Sequence, residues 1–471
     1  MGKSLPSNAA SYVGHMVRQE GSALNMPPRQ TLQCVDPQPG RRPNGRPKLL
    51  FLARPFPPSR ASACVRTWSI AKYLSRIGWD VTVVTPQPSV WRYVDSPEAI
   101  ELQLRREGIR RILTDHRWRC LFPDFLKCWN QGAGWLIGGV CRMLARRLDI
   151  DNGVGWIGSA ERACSSLTGH DVDVILATGT PFASFKLAKR LAERLHRPYV
   201  LDYRDPWTGN PHRDRPARSA VIQEEARLLA DCAATTIVSP SWGEVVERQF
   251  GLGPKLHVIP NGYDPEELTG IVPHNFGHVA IVYTGVFYPP KRSISPVLAA
   301  LKLIKETIPG KAGQWRFHYY GGHGDYVREE AERVGLMEQV VLHGYVPRAE
   351  ALAAVKGADV AVVITSVVEE ATMEDKGIMT AKVFEALGLG TPTLLVAPPG
   401  SDVEVLADTT SFVRRFTGSD VAGIAAFLAE IISGQTIEPK NLDAYAWATI
   451  VQRLDAVLRA AAASEFCHQR R

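Results

Sequence analysis

Short apolar segments alternate with amphipathic helical segments along most of the chain, and this alternation limits the fold more than any other feature. The first series runs from the apolar segment at 49–53, through a helical pattern that stops at Gly78, to the apolar segment "VTVVTP". A strand, a helix and a strand in this order form a right-handed βαβ unit, and uninterrupted apolar strands indicate a parallel sheet covered on both faces. Repetition of the unit predicts a doubly wound α/β domain.

The series pauses at the segment "TGIVPHNFGH", and a second series begins with "VAIVYTG". A chain of 471 residues is too long for one domain, which agrees with this division. We therefore expect an α/β protein whose two Rossmann-like, doubly wound domains face an inter-domain cleft. The predicted parts are a disordered tail at 1–46, a first domain at 47–265 with an insertion at about 91–160, a second domain at 275–440, and a C-terminal helix within 441–471.

The net charge of +7 is moderate for this length, but its distribution is uneven. The segment 105–147 carries ten Lys and Arg residues against three Asp and Glu residues, interleaved with aromatic residues (Trp118, Phe122, Phe125, Trp129 and Trp135). Such a segment is either a solvated or packed insertion or a surface that docks on anionic lipid. Nucleic acid is not an expected partner, because no recognition motif accompanies the charge.

No sequence feature indicates a metal, a cofactor or export. The eight cysteines form no CxxC pair and no histidine-containing metal cluster, so we expect reduced, packed thiols. The segment "GVGWIG" at 153–158 has dinucleotide-binding spacing, but a polar segment stands before it where a strand is required. No apolar run reaches the roughly 20 residues of a membrane span, and no signal peptide begins the chain. We expect a cytoplasmic location, with the inner face of the membrane as the alternative.

Ligands of doubly wound domains bind beyond the carboxyl ends of the strands, so the loops there supply the first candidate residues. In the first domain, the segment "LDYRDPWTGN" begins with a strand at Leu201. Arg204 and Asp205 are its candidates for contact with a substrate, while Asp202 and Trp207 are expected to hold the loop. The alternative is that the whole segment is a structural turn.

The second domain offers two segments suited to a nucleotide. Gly285 ends a strand and precedes Lys291 and Arg292, and two cations beside a helix N-terminus suit a diphosphate; a solvated basic turn is the alternative. Further on, Lys382 and Glu385 share one helix face. The ammonium can meet phosphate oxygens and the carboxylate can accept both hydroxyls of a ribose, the alternative being a salt bridge between the two side chains.

Together these motifs resemble glycosyltransferase family 4, retaining enzymes of the GT-B fold, and in particular the branch that builds bacterial polysaccharides and other surface glycans. The resemblance rests on "VIPNGYD", the Gly285 loop and "KVFEALGLGTPTL" in the second half, and on "FLARPFPPSRASAC" and "LDYRDPW" in the first. It covers about Lys48 to Leu458. It implies transfer of a sugar from a nucleotide sugar to a glycan or lipid-linked acceptor, with retention at the anomeric carbon and without a metal.

The resemblance also implies roles for single residues. It implies that Glu385 binds the donor ribose, that Lys291 or Arg292 binds the diphosphate, and that a C-terminal helix with Trp447 braces the first domain. Asp205, with Arg204 beside it, is the carboxylate best placed to act as a nucleophile or to position the acceptor hydroxyl, and these two roles stay open. Where the family has a glycine-rich loop after the first strand, this chain has small residues. The acceptor side of the cleft is therefore assigned to Ser59, Ser62 and Arg66.

One departure from the family pattern concerns the sugar site. The family often has a glutamate eight residues before the ribose glutamate, and Gly377 stands there in this chain. Two alternatives to a transferase follow from the sequence. One is a GT-B epimerase of nucleotide sugars, and the other is a catalytically degenerate subunit that binds nucleotide sugars.

Overall fold

The architecture comes from a computed structural model, which describes residues 45–117, 133–211, 213, 215–311, 313–438 and 442–464, without the side chains of 133–138. Within these ranges the strands form two parallel sheets. The first has the order β3-β2-β1-β4-β5-β6-β7 and the second the order β10-β9-β8-β11-β12-β13. Both sheets reverse their strand order beside their first strand, as doubly wound domains do, and the predicted fold class is confirmed.

The strands of the first sheet are β1 (Lys48–Leu52), β2 (Asp80–Pro86), β3 (Arg110–Thr114), β4 (Val174–Gly179), β5 (Tyr199–Tyr203), β6 (Ala234–Ile237) and β7 (Leu256–Val258). Those of the second sheet are β8 (Val279–Thr284), β9 (Trp315–Tyr320), β10 (Val340–Gly344), β11 (Val360–Ile364), β12 (Thr393–Val396) and β13 (Val413–Phe416).

The α-helices surround the two sheets. Those before β8 are α1 (Cys64–Arg76), α2 (Pro97–Glu107), α3 (Ala133–Arg147), α4 (Val154–Ala163), α5 (Ala183–Leu195), α6 (Ser219–Asp231), α7 (Pro240–Phe250) and α8 (Pro265–Thr269). Those after β8 are α9 (Ser295–Thr307), α10 (Gly324–Val334), α11 (Arg348–Gly357), α12 (Met373–Lys376), α13 (Ala381–Leu389), α14 (Glu404–Thr409), α15 (Val421–Ile432) and α16 (Trp447–Ala463).

Strand β1 shows why the apolar runs are uninterrupted. Its residues alternate between two cores, since Leu50 and Leu52 pack in the core that contains α5, whereas Leu49 and Phe51 pack in the core that contains α1. All four side chains are buried. Helices therefore cover both faces of the sheet.

The region 91–160, which the sequence suggested is an insertion, contributes a strand to the first sheet. Helix α2 precedes β3, and β3 pairs in parallel with β2 as the edge strand of the first sheet. This strand carries two arginines, which pair with Asp80 and Glu101, in place of an apolar run. An edge strand is covered on one side only, so its sequence lacks the signal of a buried strand. The segment 153–158 begins α4, and no strand precedes it directly.

The C-terminal helix α16 packs on the first sheet's helix α1. Trp447, Ile450 and Leu454 lie in the same core as Leu49 and Phe51. The entry to α16 is fixed by backbone hydrogen bonds, in which Trp447 N donates to Tyr263 O at 2.9 Å and Tyr263 N donates to Tyr445 O at 3.1 Å. In the described ranges, no helix combines the length and apolar character that a bilayer span requires.

Candidate active site

Asp202, in β5, is completely buried, and its carboxylate accepts hydrogen bonds from three side chains. Thr178 and Thr236, on the neighbouring strands, each donate a hydroxyl hydrogen bond of 2.8 Å to the carboxylate. Arg66 from α1 adds a two-pronged ion pair, with distances of 2.7 and 3.1 Å. Burial alone would raise the pKa of Asp202, but Arg66 and the two hydroxyls lower it below its usual value. This carboxylate is held inside the sheet and is not presented to a ligand.

Arg66 was expected on the acceptor side of the cleft, and the structure instead buries it beneath the segment that joins the two domains. Its remaining N–H groups donate to Ile259 O, Pro260 O and Asn261 Oδ1 at 3.0 to 3.2 Å. The guanidinium also lies over the Trp447 ring, 5.5 Å from its centroid. All five N–H groups are thus used inside the protein. Unlike the prediction, Arg66 has no N–H group left to bind an acceptor substrate. It instead joins β5 to the inter-domain segment and to α16.

Arg204 and Asp205 follow β5 at the carboxyl edge of the sheet. Arg204 Nε donates to Gly179 O at 2.8 Å, and its Nη2 donates to Thr180 O, so the arginine fastens its own loop to the loop after β4. Burial lowers the pKa of Arg204, and the nearby charge of Asp205 opposes this shift. Both side chains are partly exposed. The structure therefore brings the two predicted residues together at the edge where a substrate would meet the first domain.

The rest of this loop is held by a buried carboxylate on α6. Glu225 accepts hydrogen bonds from the Tyr203 hydroxyl at 3.0 Å, from Thr208 Oγ1 at 2.6 Å and from Thr208 N at 3.1 Å. Trp207 stacks on Phe182 with 4.9 Å between ring centroids. Burial raises the pKa of Glu225 to about 7. The first part of the loop is thus held at Arg204 and again at Trp207 and Thr208, with Asp205 between these attachments.

Arg54 was missed in the sequence, although it stands directly after β1. It is 3% exposed, and its Nη1 donates to Asn152 Oδ1 at 3.1 Å. Its Nε and Nη2 atoms are buried without a hydrogen-bond partner among the described residues. Burial lowers the pKa of Arg54 to about 10, an effect that Asp151 opposes and Arg204 strengthens. Its position two residues beyond β1, at the carboxyl edge of the sheet, is the signal that could have identified it.

Ser59 and Ser62 lie in the loop between Arg54 and α1. Ser59 is buried, and its hydroxyl oxygen accepts from Ala61 N at 3.4 Å, so it shapes the loop. Ser62 is exposed and precedes α1 by two residues. Of the two predicted serines, Ser62 is the one that faces outward.

In the second domain, the structure brings Gly285 and Lys382 into contact. Gly285 has a φ of +127°, and a Cβ atom built on it would lie 2.3 Å from Lys382 Cε. A side chain at position 285 would therefore displace the lysine. A hydrogen bond from β9 holds the loop, since the Tyr319 hydroxyl donates to Gly285 O at 2.9 Å. The glycine that ends β8 thus makes room for the lysine that opens α13.

Lys382 and Arg292 form a pair of cations beside Gly285. Burial lowers the pKa of Lys382, Arg292 lowers it further, and Glu385 opposes the change. Arg292 Nε is buried without a hydrogen-bond partner among the described residues, and the guanidinium lies over the Tyr288 ring at 5.4 Å. Two neighbouring cations in a desolvated place repel each other, and a bound anion would remove this repulsion.

Lys291 has a different environment from Arg292. Its Nζ lies 2.7 Å from Asp375 Oδ1, and its side chain is 42% exposed. Asp375 is buried and closes the capping box of α12 with Thr372. Of the two basic residues that the sequence proposes for a diphosphate, Lys291 is already paired, and Arg292 is the one next to Lys382.

Glu385 lies one turn after Lys382 on α13 and pairs with Arg348 of α11. Arg348 Nη2 lies 2.8 Å from Glu385 Oε1, while Arg348 Nη1 lies 3.1 Å from Glu267 Oε2. The Glu385 side chain is 19% exposed. The alternative of a salt bridge between Lys382 and Glu385 is therefore not what the structure shows, because the carboxylate finds its cation on the neighbouring helix.

Gly377 forms part of the contact between the two sheets' helices. A Cβ atom at this position would lie 2.1 Å from Trp242 Cδ1, and Gly377 O accepts from Ser239 Oγ at 2.7 Å. Trp242 Nε1 donates to Glu374 O at 2.7 Å. The place where the family often has a glutamate is occupied here by an indole ring from α7.

The basic segment 105–147 is described only in part. Its aromatic residues Trp118, Phe122, Phe125 and Trp129 and the side chain of Trp135 lie outside the described residues. Arg111 is paired with Glu101, and Arg146 and Arg147 are exposed on α3. In the described part of the chain, no group of three or more His, Cys, Asp or Glu side chains is arranged to hold a metal ion.

Family models match both halves of the chain. Residues 65–267 match the model described as Glycosyltransferase Family 4, and residues 278–434 match the model described as Glycosyl transferases group 1. No curated protein sequence matches the chain. The first match covers Arg204 and Asp205, and the second covers the Gly285 loop and α13.

Solved structures with a similar fold include a sucrose-phosphate synthase from Thermosynechococcus elongatus, at 15% identity and a TM-score of 0.54, over 88% of this chain and 96% of that one. HepE of Anabaena, in complex with UDP and glucose, is similar at 16% identity and a TM-score of 0.53, over 88% of this chain and 99% of that one. TarM is similar at 9% identity and a TM-score of 0.54, over 88% and 95%. At these identities the likeness concerns the fold.

Proposed function

Because the chain belongs to the family 4-like glycosyltransferases with the GT-B fold, we propose that it transfers a sugar from a nucleotide-sugar donor to a glycan or lipid-linked acceptor. Retention at the anomeric carbon, independence of metal ions and a place in polysaccharide or glycoconjugate biosynthesis are parts of this proposal. The family assignment does not favour the alternative of a nucleotide-sugar epimerase.

The contact between Gly285 and Lys382, with Arg292 beside it, is the observation that carries the proposal. A diphosphate at this place would accept hydrogen bonds from both cations and would separate their charges. Glu385 lies one helical turn further on, where it would accept the ribose hydroxyls while still paired with Arg348. The structure of HepE of Anabaena with UDP and glucose agrees with a donor of this chemical class.

In the proposed reaction the leaving group is a nucleoside diphosphate whose charge grows as the glycosidic bond breaks. Lys382 and Arg292 would stabilise that charge in place of a metal ion. The acceptor hydroxyl would approach from the first domain, where Asp205 lies at the loop after β5. Asp205 would either position this hydroxyl on the front face of the sugar or act as the nucleophile of a double displacement. Both routes retain the anomeric configuration.

The acceptor side of the proposal includes contact with an anionic membrane through the segment 105–147, in a cytoplasmic protein at the inner face. Exposed arginines on α3 alternate with exposed apolar side chains, which is the composition of an interfacial helix. Vesicle flotation with and without an anionic phospholipid tests this contact. Equal recovery with neutral and anionic vesicles would contradict it.

Calorimetry with UDP and a panel of other nucleoside diphosphates tests the donor site. We expect Lys382→Ala, Arg292→Ala and Glu385→Ala each to weaken binding by roughly tenfold or more, because each removes a charged or ribose contact. Lys302→Ala, on the exposed face of α9, is the matched control and should leave the affinity unchanged. Unchanged affinity in Glu385→Ala would refute the ribose role, and wild-type protein that binds no nucleotide would refute the donor site.

A further inference from the structure

The turn after α3 fastens this helix to the acceptor edge of the first sheet. Asp149 Oδ2 accepts from Arg213 Nη2 at 2.5 Å, and Leu148 O accepts from Arg218 Nη1 at 3.3 Å, so the turn holds the loop after β5. Asp151 accepts from the backbone N–H groups of Phe182 and Ala183 at 2.9 and 3.1 Å, which holds the loop after β4. Helix α3 therefore ends beside the loop that contains Asp205 and beside the loop after β4.

A basic groove of about 600 Å³ runs along this end of α3. It is lined by Gly139, Arg142, Met143, Arg146, Arg147 and Arg215, and no carboxylate is among these residues. Arg142 and Arg146 are one turn apart on the helix, and Arg215 reaches the groove from the loop after β5. Guanidinium groups match phosphate oxygens in pairs of hydrogen bonds, so four of them around one cavity suit a ligand with more than one negative charge.

Arg54, which follows β1, is a further cation near the turn after α3. It bonds to Asn152, which follows the turn of α3, and two of its nitrogens are buried without a partner among the described residues. Arg204 lies close enough to influence its pKa. This buried arginine is a separate indication of an anionic ligand, since leaving N–H groups unpaired in the interior is costly.

An apolar line runs along α3 beside the groove. Val140, Leu144 and Leu148 follow one another at intervals of four residues, and their side chains are 54%, 47% and 47% exposed. Met143 lines the groove and is 61% exposed. An apolar line next to a basic one is typical of helices that bind the surface of a membrane.

We propose that the groove binds the diphosphate group of a lipid-linked acceptor, whose lipid chain leaves along Val140 and Leu144 into the membrane. This inference rests on the proposed function, because it specifies the acceptor of the same reaction. A lipid source is favoured over a soluble diphosphate because the arginines and the apolar line adjoin on one helix. The sugar end of such an acceptor would point past Arg54 toward Asp205.

Calorimetry of the full chain with farnesyl diphosphate, farnesol and inorganic pyrophosphate tests the groove, with UDP held at saturation to occupy the donor site. We expect farnesyl diphosphate to bind more tightly than pyrophosphate and farnesol to bind least. The double variant Arg146→Ala/Arg215→Ala should weaken farnesyl diphosphate binding by roughly tenfold or more. Arg328→Ala/Arg333→Ala, which removes two exposed arginines from α10, should leave it unchanged.

A second variant separates the two ligand sources. Val140→Ser/Leu144→Ser should weaken farnesyl diphosphate binding and leave pyrophosphate binding as it is. Equal affinity for farnesyl diphosphate and pyrophosphate would overturn the lipid source, and equal affinity for farnesyl diphosphate and farnesol would overturn the diphosphate site. Donor hydrolysis by the same preparations keeps the two proposals apart. If UDP binds and donor is hydrolysed while no probe binds the groove, only this inference fails; if no nucleotide sugar is used, the proposed function fails.

Discussion

The two aspartates of "LDYRDPW" show how far neighbouring residues of one type can differ. Asp202 points into the sheet and is satisfied by Arg66 and two threonines, whereas Asp205 is partly exposed and lies two residues beyond the strand end. The alternation of side chains along a strand separates residues that the sequence places three apart. Asp202 is thus used within the fold, whereas Asp205 is the partly exposed aspartate of the pair.

Asp205→Asn tests that assignment. We expect turnover to fall by roughly 100-fold or more, since in the proposed reaction this charge would position the acceptor or attack the sugar, while donor affinity stays within about twofold. Initial rates and calorimetry with the same donor separate the two effects. Full activity would reduce Asp205 to a structural residue of the loop.

Glu225 predicts a dependence of stability on pH. Burial raises the pKa of Glu225 in the folded state to about 7, from about 4.5 in the unfolded chain. The stability gained from the protonated carboxyl is therefore full below about pH 4.5 and is lost as pH rises through 7. The loss amounts to about 3 kcal/mol. Urea unfolding between pH 5 and pH 8 should show this decline, and Glu225→Gln should flatten it. An equally steep decline in the variant would place the titrating group elsewhere.

At the scale of elements, the contact of α7 with α12 explains the departure at Gly377. Trp242 fills the space that a glutamate side chain would need, and hydrogen bonds from Ser239 and Trp242 hold the backbone of α12. Ser241 strengthens the same contact, because its N and Oγ donate to Asp402 at 2.7 and 2.8 Å. The glycine is thus a requirement of packing between the halves of the chain.

Gly377→Ala should lower the free energy of unfolding by about 1 to 3 kcal/mol, because the new methyl group forces Trp242 out of place. Thermal and urea unfolding measure the change. Gly158→Ala is the control, since position 158 lies in α4 with open space around its Cα, and there the substitution should be neutral or slightly stabilising. Equal effects of the two substitutions would contradict the packing argument.

The sequence predicted those elements whose signal is local. Buried strands appear in the sequence as apolar runs, and the strands are predicted from them. The proposed roles of Asp205, Lys382 and Arg292 stay predictions. Strand β3 was missed because an edge strand can carry arginines, and Arg54 was missed because nothing in "LARPF" marks it as buried. The burial of Arg66 and the pairing of Glu385 with Arg348 depend on residues far apart in the chain, which no local pattern reports.

At the scale of the molecule, helix α16 packs into the core of the domain that the first half of the chain forms. Trp447 is completely buried, lies in the core with Leu49 and Phe51, and supports the Arg66 guanidinium. We expect Trp447→Ala to destabilise the protein by about 3 to 5 kcal/mol, through the lost burial and the cavity that remains. Differential scanning calorimetry should show a lower melting temperature for the transition of the first domain. An unchanged transition would mean that α16 contributes little to that core.

The return of α16 to the first sheet also sets the order in which the parts can be finished during synthesis. A ribosome that has translated as far as residue 438 has produced every strand of both sheets, but the apolar face of α1, with Trp68 and Ile70, still lacks the helix that covers it. The first sheet's core is therefore completed only when α16 has been made, after all the strands of the second sheet. Until then the apolar face of α1 is exposed in the nascent protein. A chaperone, or the second half of the chain, has to cover it to prevent aggregation.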